Sequence, residues 1–178
     1  MNPITTLTDS ITELDLWSKT LELQRNDFLK VKGSIDTNLY LVTSGSLRIF
    51  IVDEHEEHTI RFGYINNLIA ALDSFLSGKP SDLYIQALKK TTLKAISKKE
   101  YNKFITSSAE NNALWLQILE SFALQQMERE RDILTTSPLE RYKRVLERSP
   151  KLFQEIPNKY IASYLRMTPE TLSRIKKS

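Results

Sequence analysis

The chain has 178 residues, of which 40% are hydrophobic and 26% are charged, and it contains no cysteine. This length corresponds to one large domain or two small ones and is sufficient to bury a hydrophobic core. The lack of cysteine excludes disulfides, thiolate nucleophiles, Cys-ligated zinc and iron–sulfur clusters. No apolar run approaches the roughly 20 residues that span a bilayer, and the N-terminus lacks a signal-peptide pattern, so we expect a cytoplasmic protein without a membrane partner.

Positive charge is concentrated near the C-terminus. Residues 137–178 hold 10 Lys and Arg against 4 Asp and Glu, a net charge of +6, whereas residues 1–136 hold 15 against 18, a net charge of −3. A compact segment with this charge is typical of proteins that bind a polyanion, because phosphate neutralisation supplies most non-specific affinity for nucleic acid. The alternative is a solvated, lysine-rich surface.

The first part of the chain predicts a β domain. Apolar spacing over residues 4–23 predicts one or two short amphipathic helices. From Phe28 to Ile96, short β-rich runs alternate with turn residues and most have no helical pattern between them, which favours an antiparallel sandwich or roll. Gly33 and Gly45 are natural positions for tight turns. The runs are FLKVK, LYLVT, SLRIFIV, TIRFGYI, LYIQAL and LKAI.

Two features of this β region are candidates for a site. His55 and His58 have an H-x-x-H spacing among carboxylates that could hold a metal, but we interpret the segment as an exposed hairpin tip. Residues 69–84 combine a short helical stretch with a turn, which predicts either a ligand shelf or a plain connection. Gly78-Lys79 lacks the upstream glycine and the following helix of a P-loop. No nucleophile and base recur in a catalytic arrangement, so we expect no enzyme activity, no metal and no cofactor.

The longest helical pattern covers residues 108–136. Its apolar residues occupy two adjoining faces, which include Leu116, Leu119, Ala123 and Met127 on one and Leu114, Trp115, Ile118 and Phe122 on the other. A helix with two apolar faces has two partners. We predict that one face packs on the β domain and the other on the same helix of a second subunit. The alternative is a helix buried within a monomer.

A new helix begins sharply after this one. Ser137 is its predicted N-cap, Pro138 occupies the first helical position, and Glu140 completes a capping box. The pattern therefore predicts a hinge at residues 136–137, where the long helix ends and the basic segment begins. Core residues of the new helix are expected at Tyr142, Val145 and Leu146.

The last predicted elements form a helix-turn-helix over residues 158–177. Apolar or small side chains fall where two crossing helices must touch: Ile161, Ala162, Leu165, Met167, Leu172 and Ile175. Thr168 is a hydroxyl N-cap and Pro169 follows it, so the second helix starts near Thr168. Arg166, at the turn, is expected to adopt a positive φ at a cost of about 1 kcal/mol. The alternative is an αα-hairpin without contact to DNA.

The second helix of this motif carries polar and basic side chains, and the first turns of such a helix normally enter a major groove. Arg174 can pair bidentately with guanine and Glu170 can accept a hydrogen bond from cytosine, so these are the predicted base-reading residues. Lys159, Lys176 and Lys177 are expected to contact phosphates. The predicted DNA-binding set is Lys159, Thr168, Pro169, Glu170, Thr171, Ser173, Arg174 and Lys177.

A β roll, a long dimer helix, a capped hinge and a terminal helix-turn-helix in this order resemble the Crp/Fnr family of bacterial transcription regulators. The resemblance is carried by LYLVTSGSLRIF, NLIAALDSFLSG and PNKYIASYLRMTPETLSRIKK, and the last segment looks like the branch of the family common in Bacteroidetes. The family's recognition helix carries an E-T-x-x-R signature, matched here by Glu170, Thr171 and Arg174. The resemblance implies base contacts for these residues.

One departure from the family concerns the effector pocket. Family members that bind cyclic AMP use a G-E-L motif and an R-S pair, and polar residues of the long helix touch the base. In ungapped register the corresponding residues are Ala70, Ala71, Leu72, Ser81, Asp82, Gln126 and Met127. The acid for the ribose and the arginine for the phosphate are missing, and an aspartate beside the phosphate would repel it. We therefore expect no response to cyclic AMP and either a less anionic effector or none.

The sequence thus predicts an α+β protein in three parts. Residues 1–108 form a jelly-roll-like antiparallel β roll with flanking helices, residues 109–136 a dimerisation helix, and residues 137–178 an all-α helix-turn-helix domain. Family members usually continue into a β-hairpin wing, which this sequence lacks, so we expect fewer phosphate contacts. The predicted function is a homodimeric transcription regulator that binds double-stranded DNA. The alternative is a non-DNA-binding sensor or scaffold dimer.

Overall fold

The computed structural model describes residues 2–177. These residues form eight strands, namely β1 (Lys19–Leu23), β2 (Phe28–Lys30), β3 (Asn38–Ser44), β4 (Ser46–Asp53), β5 (Glu56–Tyr64), β6 (Leu68–Ile69), β7 (Tyr84–Ala87) and β8 (Thr91–Ser97). The same residues form eight helices, namely α1 (Pro3–Glu13), α2 (Leu72–Ser77), α3 (Lys98–Thr106), α4 (Ala109–Leu134), α5 (Pro138–Arg148), α6 (Leu152–Glu155), α7 (Asn158–Tyr164) and α8 (Pro169–Ile175).

The strands form two four-stranded antiparallel sheets, with the orders β1-β8-β3-β6 and β2-β7-β4-β5. Alternate residues of a strand point to the same face, so one row of each sheet faces the other sheet. Leu47, Ile49 and Ile85 from one sheet meet Val42 and Leu93 from the other in a buried core. This arrangement confirms the predicted antiparallel β roll and the α+β fold class.

A glycine is required at the turn between β3 and β4. Gly45 has a φ of 85°, which residues with a side chain rarely adopt. A Cβ there would lie 2.3 Å from Oγ1 of Thr91 and 2.4 Å from the carbonyl oxygen of Lys90. The predicted turn is therefore confirmed, and its glycine is needed for close approach as well as for its backbone conformation.

The prediction of one or two short helices over residues 4–23 is wrong in the second half of this stretch. Residues 19–23 form the edge strand β1, in which Leu21 pairs with Leu93 of β8. The reason is a two-residue alternation that directs Leu21 and Leu23 toward the roll core, where they pack. Three short elements, β6, α3 and α6, are additions to the predicted set: β6 and α6 span 2 and 4 residues, and α3 follows β8 without a turn.

The long helix α4 packs on the roll through one of its faces. Ser108 caps it by accepting a hydrogen bond from the backbone N–H of Asn111 at 3.1 Å. Ile118 is fully buried in a cluster with residues of α1 and α3. The ring of Trp115 meets that of Tyr101 edge-on, with centroids 5.2 Å apart. One of the two contacts predicted for this helix is thereby confirmed.

Candidate nucleic-acid interface

The first turn of α8 is fixed by its own residues. Oγ1 of Thr168 accepts a hydrogen bond from the backbone N–H of Thr171 at 3.2 Å, so Thr168 is the N-cap, as predicted. Pro169 follows at the first helical position, where the missing N–H costs nothing. The start of the helix is therefore determined within four residues.

The turn between α7 and α8 depends on a buried arginine outside it. Arg166, in the turn, has the expected positive φ, at 51°. Arg141 of α5 donates hydrogen bonds to the carbonyl oxygens of Leu165 at 2.8 Å and Arg166 at 3.1 Å. It also donates to the carbonyls of Thr135 at 2.6 Å and Thr136 at 3.0 Å. One guanidinium thus ties the left-handed turn to the end of α4.

Sequence reasoning missed this role of Arg141. An arginine is normally exposed, but Arg141 stands four residues before Val145 and so shares the buried face of α5. That spacing is the sequence signal that Arg141 is buried. It could not identify the four carbonyl partners, because two of them lie more than twenty residues further along the chain.

Packing against α7 decides which face of α8 points outward. Ile161, Ala162, Leu165 and Leu172 are at most 1% exposed and belong to one hydrophobic cluster. Because Ala162 has only a methyl group, the two helices approach closely at this point. The predicted contacts of a helix-turn-helix are therefore present.

The outward face of α8 borders an open groove of about 660 Å³. Five residues of the predicted DNA-binding set line it together: Pro169, Glu170, Ser173, Arg174 and Lys177. All five are exposed. Thr168 and Thr171 are engaged with each other at the N-cap, where the Thr168 hydroxyl lies 3.2 Å from that of Thr171.

Two other lysines that were predicted to contact phosphates lie beside this groove. Lys159 is exposed on α7, and its Nζ lies 4.6 Å from the ring centroid of Tyr160. Nζ of Lys176 donates a hydrogen bond to Oδ1 of Asn158 at 3.1 Å. Lys176 therefore links the end of α8 to the start of α7.

Glu170 is the anionic member of the groove. Its own backbone N–H, and then the Thr168 hydroxyl, lower the pKa of the Glu170 carboxyl below its ordinary value. The N-terminal end of α8 also favours the charged carboxylate, because the helix dipole is positive there. Glu170 is therefore ionised at neutral pH and can only accept hydrogen bonds.

The helix-turn-helix is docked on the β roll of its own chain. Oγ of Ser163 donates a hydrogen bond to the carbonyl of Glu57 at 3.2 Å and accepts one from the backbone N–H of Thr59 at 3.4 Å. The rings of Phe62 and Tyr164 lie 5.4 Å apart between centroids. The contact uses α7 and β5, so the groove residues of α8 remain exposed.

A buried ion cluster holds α5 against α4. Asp132 is fully buried and pairs with Arg144 at 3.1 Å and with Arg148. Glu128 contacts the same two arginines at 2.9 Å and 3.6 Å. A buried carboxylate is costly unless it is paired, so these contacts favour one orientation of α5 on α4. The link between α4 and α5, residues 135–137, is thus short and held on both sides.

The residues predicted to line an effector pocket have unlike environments. Ala71 is fully buried in the roll core, and Ser81 is 2% exposed. Asp82 faces solvent and lies 3.8 Å from Lys32. Ala70 and Leu72 are half-buried at the start of α2, whereas Gln126 and Met127 are exposed on α4.

A buried cation that sequence reasoning missed lies next to Ser81. Lys30 is 3% exposed, and its Nζ donates hydrogen bonds to the carbonyls of Val31, Ser81 and Leu83 at 3.0, 3.2 and 3.2 Å. Burial lowers the pKa of Lys30. Because all three ammonium protons are used, Lys30 holds the backbone of the segment after α2.

The two histidines occupy different parts of the β4–β5 hairpin. His55 is exposed in the turn with a φ of 72°, as expected for a hairpin tip. His58 is half-buried within β5, because this strand begins at Glu56, earlier than predicted. Within residues 2–177, no three or more His, Cys, Asp or Glu side chains are placed to hold a metal.

The outer face of α4 carries several exposed apolar side chains that nothing covers in the single chain. Leu116, Leu124, Met127 and Leu134 are between 52% and 79% exposed. Their spacing places them along one side of the helix. Apolar surface of this kind normally marks an interface. None of the helices in residues 2–177 is both long and apolar enough to cross a membrane.

Comparison with known proteins identifies the fold. Neither a protein-family model nor a curated protein matches the sequence. FixK2 from Bradyrhizobium japonicum is similar with a TM-score of 0.73 and 14% identity, covering 89% of this chain and 82% of that one. The catabolite activator protein of Thermus thermophilus gives a TM-score of 0.60 and 23% identity over 98% and 85% of the two chains. A transcriptional regulator assigned to the crp/fnr family from Eubacterium rectale gives 0.67 and 19% over 97% and 82%. Sequence identity this low establishes the fold alone, and this chain has the fold of Crp/Fnr regulators.

Proposed function

We propose that the protein is a homodimeric transcription regulator that binds double-stranded DNA through α8. The observation that carries the proposal is the open groove along α8, where Glu170, Arg174 and Lys177 are exposed on a helix whose other face is buried. The net charge of +6 in residues 137–178 supports it, because it attracts phosphates. The fold shared with solved transcription regulators supports it as well.

In this proposal the groove residues have distinct roles. Arg174 pairs with a guanine, and the ionised Glu170 accepts a hydrogen bond from a cytosine amino group. Lys159 and Lys177 contact phosphates and set the position of the helix on the duplex. A dimer through the apolar outer face of α4 would present two α8 helices to half-sites about 34 Å apart. The proposed domains are the β roll at residues 1–108, the dimerisation helix at 109–136 and the DNA-binding domain at 137–178. The likeness of the last segment to the Bacteroidetes branch of the family remains a prediction.

Replacement of Arg174 by alanine tests the DNA-binding role. A duplex would first be selected from a random pool by the wild-type protein, and its affinity measured by fluorescence anisotropy at fixed salt. We expect R174A to weaken binding about 5- to 150-fold and to relax the base preference at one position, because a bidentate base contact is lost.

The matched control is R25A, which removes another exposed arginine, in the loop between β1 and β2. It should bind the selected duplex like the wild type. Equal affinity of R174A and the wild type would overturn the assignment of Arg174. If the wild-type protein enriches no duplex at all, the scaffold-dimer alternative is favoured.

We also propose that the protein does not bind cyclic AMP. The stretch at residues 70–72 carries no acid for the ribose, Ser81 stands where an arginine would meet the phosphate, and Asp82 lies next to that position. The carboxylate of Asp82 is negatively charged, as is the phosphate of cyclic AMP, so Asp82 would repel the ligand. Calorimetric titration with cyclic AMP should give no binding heat, and a micromolar dissociation constant would contradict the proposal.

A further inference from the structure

A cavity of about 490 Å³ lies where the roll, α4 and the C-terminal helices meet. Strand β5 supplies Arg61 and Tyr64 to its wall, α4 supplies Phe122 and Arg129, and α7 supplies Tyr164. Of the residues predicted to line an effector pocket, Gln126 lines this cavity, whereas Met127 and the residues at 70–72 and 81–82 do not. Its volume is in the range of sites for small organic ligands.

Arg61 enters this cavity without a partner for its charge. Its guanidinium lies 5.4 Å from the ring centroid of Phe122 and is half-buried. Among residues 2–177, the side chain of Arg61 makes no hydrogen bond and no ion pair. Five N–H donors are therefore left without a protein acceptor.

Arg129 is the second cation of the cavity and is 7% exposed. Its guanidinium carbon lies 3.8 Å from the ring centroid of Tyr164, and it donates one long hydrogen bond, 3.4 Å, to the carbonyl of Thr59. The carboxylate that raises the pKa of Arg129 belongs to Asp132, which is already paired with Arg144 and Arg148. Most donors of Arg129 are thus also unused.

The charge balance of the cavity is positive. In the described part of the chain its wall includes Arg61, Arg129 and Arg148 but no Asp or Glu. Arg148 is compensated by Asp132, which leaves two positive charges facing the space. Burial lowers the pKa of both Arg61 and Arg129, so their surroundings do not stabilise the charged form. A buried charge without a counterion is costly, and a bound anion would remove that cost.

We propose that this cavity binds a small organic anion whose phosphate or carboxylate group is held by Arg61 and Arg129. The planar guanidinium matches both groups, because it offers two parallel N–H donors. The rings of Phe62, Tyr64 and Phe122 line the same space and provide contact for a flat apolar part of the ligand. The ligand class is therefore an aromatic or similarly flat monoanion or dianion.

The position of the cavity gives the ligand a regulatory effect. Its wall joins β5 to α4, α5 and α7, so an occupant contacts the roll, the long helix and the helix-turn-helix at once. Binding therefore stabilises the docked arrangement over any other. This consequence for DNA affinity rests on the proposed function, whereas binding of the anion does not.

Binding is tested on the full chain by calorimetry and thermal unfolding, with phenyl phosphate and benzoate as probes. Inorganic phosphate measures how strongly the anionic group binds without a ring, and benzyl alcohol measures how strongly the ring binds without a charge. We expect saturable binding of at least one aromatic anion, about tenfold tighter than that of inorganic phosphate, and none of benzyl alcohol. Whichever of phenyl phosphate and benzoate binds more tightly identifies the anionic group.

Two variants locate the site. R61Q should weaken binding at least about tenfold, because the charge-assisted hydrogen bonds are lost. Q125E places a carboxylate on an exposed residue of the cavity wall and should weaken binding by repulsion, even if R61Q does not fold. R25Q removes an arginine outside the cavity and should bind like the wild type.

Two results would overturn the proposal. One is the lack of saturation by any of the anions up to about 10 mM. The other is unchanged affinity in both Q125E and a folded R61Q. Because these titrations contain no DNA, their failure is distinguishable from failure of the DNA-binding proposal.

Discussion

Two buried tyrosines differ in the hydrogen bonding of their hydroxyl groups. Tyr40 donates a hydrogen bond to Oδ2 of Asp36 at 2.9 Å and accepts one from Nδ2 of Asn38 at 3.2 Å. The hydroxyl of Tyr101 has no hydrogen-bond partner within residues 2–177. Burial raises the pKa of both groups above the ordinary value of 10.0, and Asp36 raises that of Tyr40 further.

Phenylalanine at these two positions should therefore have different effects. Y101F removes an unsatisfied hydroxyl and should leave the free energy of unfolding unchanged or raise it by about 1 kcal/mol. Y40F leaves Asp36 without a donor and should lower it by about 1–3 kcal/mol. Urea unfolding at pH 7 measures both changes, and a loss in Y101F as large as that in Y40F would contradict the prediction.

The raised pKa values also predict alkaline destabilisation. A folded-state pKa above the unfolded value means that stability is complete below about pH 10 and falls as the pH rises toward the folded value, because the unfolded chain releases its protons first. Urea unfolding between about pH 9 and pH 11 should show this fall in the wild type. The fall should be smaller in Y101F, since one of the buried tyrosines no longer titrates.

At the scale of elements, Arg141 joins parts that the chain order keeps separate. Its side chain bonds the carbonyls after α4 and those of the turn between α7 and α8. The orientation of α8 therefore depends on α5 as well as on the packing of α7. The ion cluster around Asp132 holds the same helix, α5, from its other end.

Replacement of Arg141 by methionine tests this role. R141M keeps the length of the side chain but leaves four carbonyls without their donor, and we expect a loss of about 3–5 kcal/mol in the free energy of unfolding. The control K143M lies two residues further along α5, where Lys143 forms only an exposed ion pair with Glu140 at 3.6 Å. It should change stability by about 0.5 kcal/mol or less. Equal stabilities of the two variants in urea unfolding would show that the hydrogen bonds of Arg141 are not needed.

At the scale of the whole molecule, one chain leaves two different surfaces exposed. The apolar outer face of α4 includes Leu124 and Met127, which are 63% and 52% exposed. The polar and basic groove of α8 is the other surface. Docking of α7 on β5 holds the two surfaces in a fixed relation within the subunit. A dimer through α4 would then fix the relation between two grooves.

Charged residues on the outer face of α4 should separate the proposed dimer. We expect L124E/M127E to shift the mass from twice 20.7 kDa to 20.7 kDa in analytical ultracentrifugation, because like charges would face each other across the interface. Unfolding of the subunit itself should be little affected by two exposed substitutions. The control L76E changes a leucine of α2 that is 52% exposed and should leave the dimer intact. A wild-type protein at the mass of one chain would refute the dimer.

Local contacts explain what could be predicted from the sequence. The caps at Ser108, Ser137 and Thr168 each accept a hydrogen bond from a backbone N–H three residues later, so a few letters of sequence determine them. The turn at Gly45 and the buried residues of the helix-turn-helix follow from backbone geometry and helical period in the same way. The exposed groove residues of α8 occupy the helix positions that do not face α7.

The sequence by itself determined three helix caps, the turn at Gly45, which helix faces are apolar and where positive charge collects, because these depend on residues within a few positions of each other. Only the tertiary structure decided that residues 19–23 form a strand, because their partner β8 lies about seventy residues away. It also decided the docking of Ser163 on Glu57, 106 residues apart, and the meeting of Arg61 and Arg129 at one cavity. Such contacts combine side chains from several elements, and their energy depends on a packing that no short segment contains.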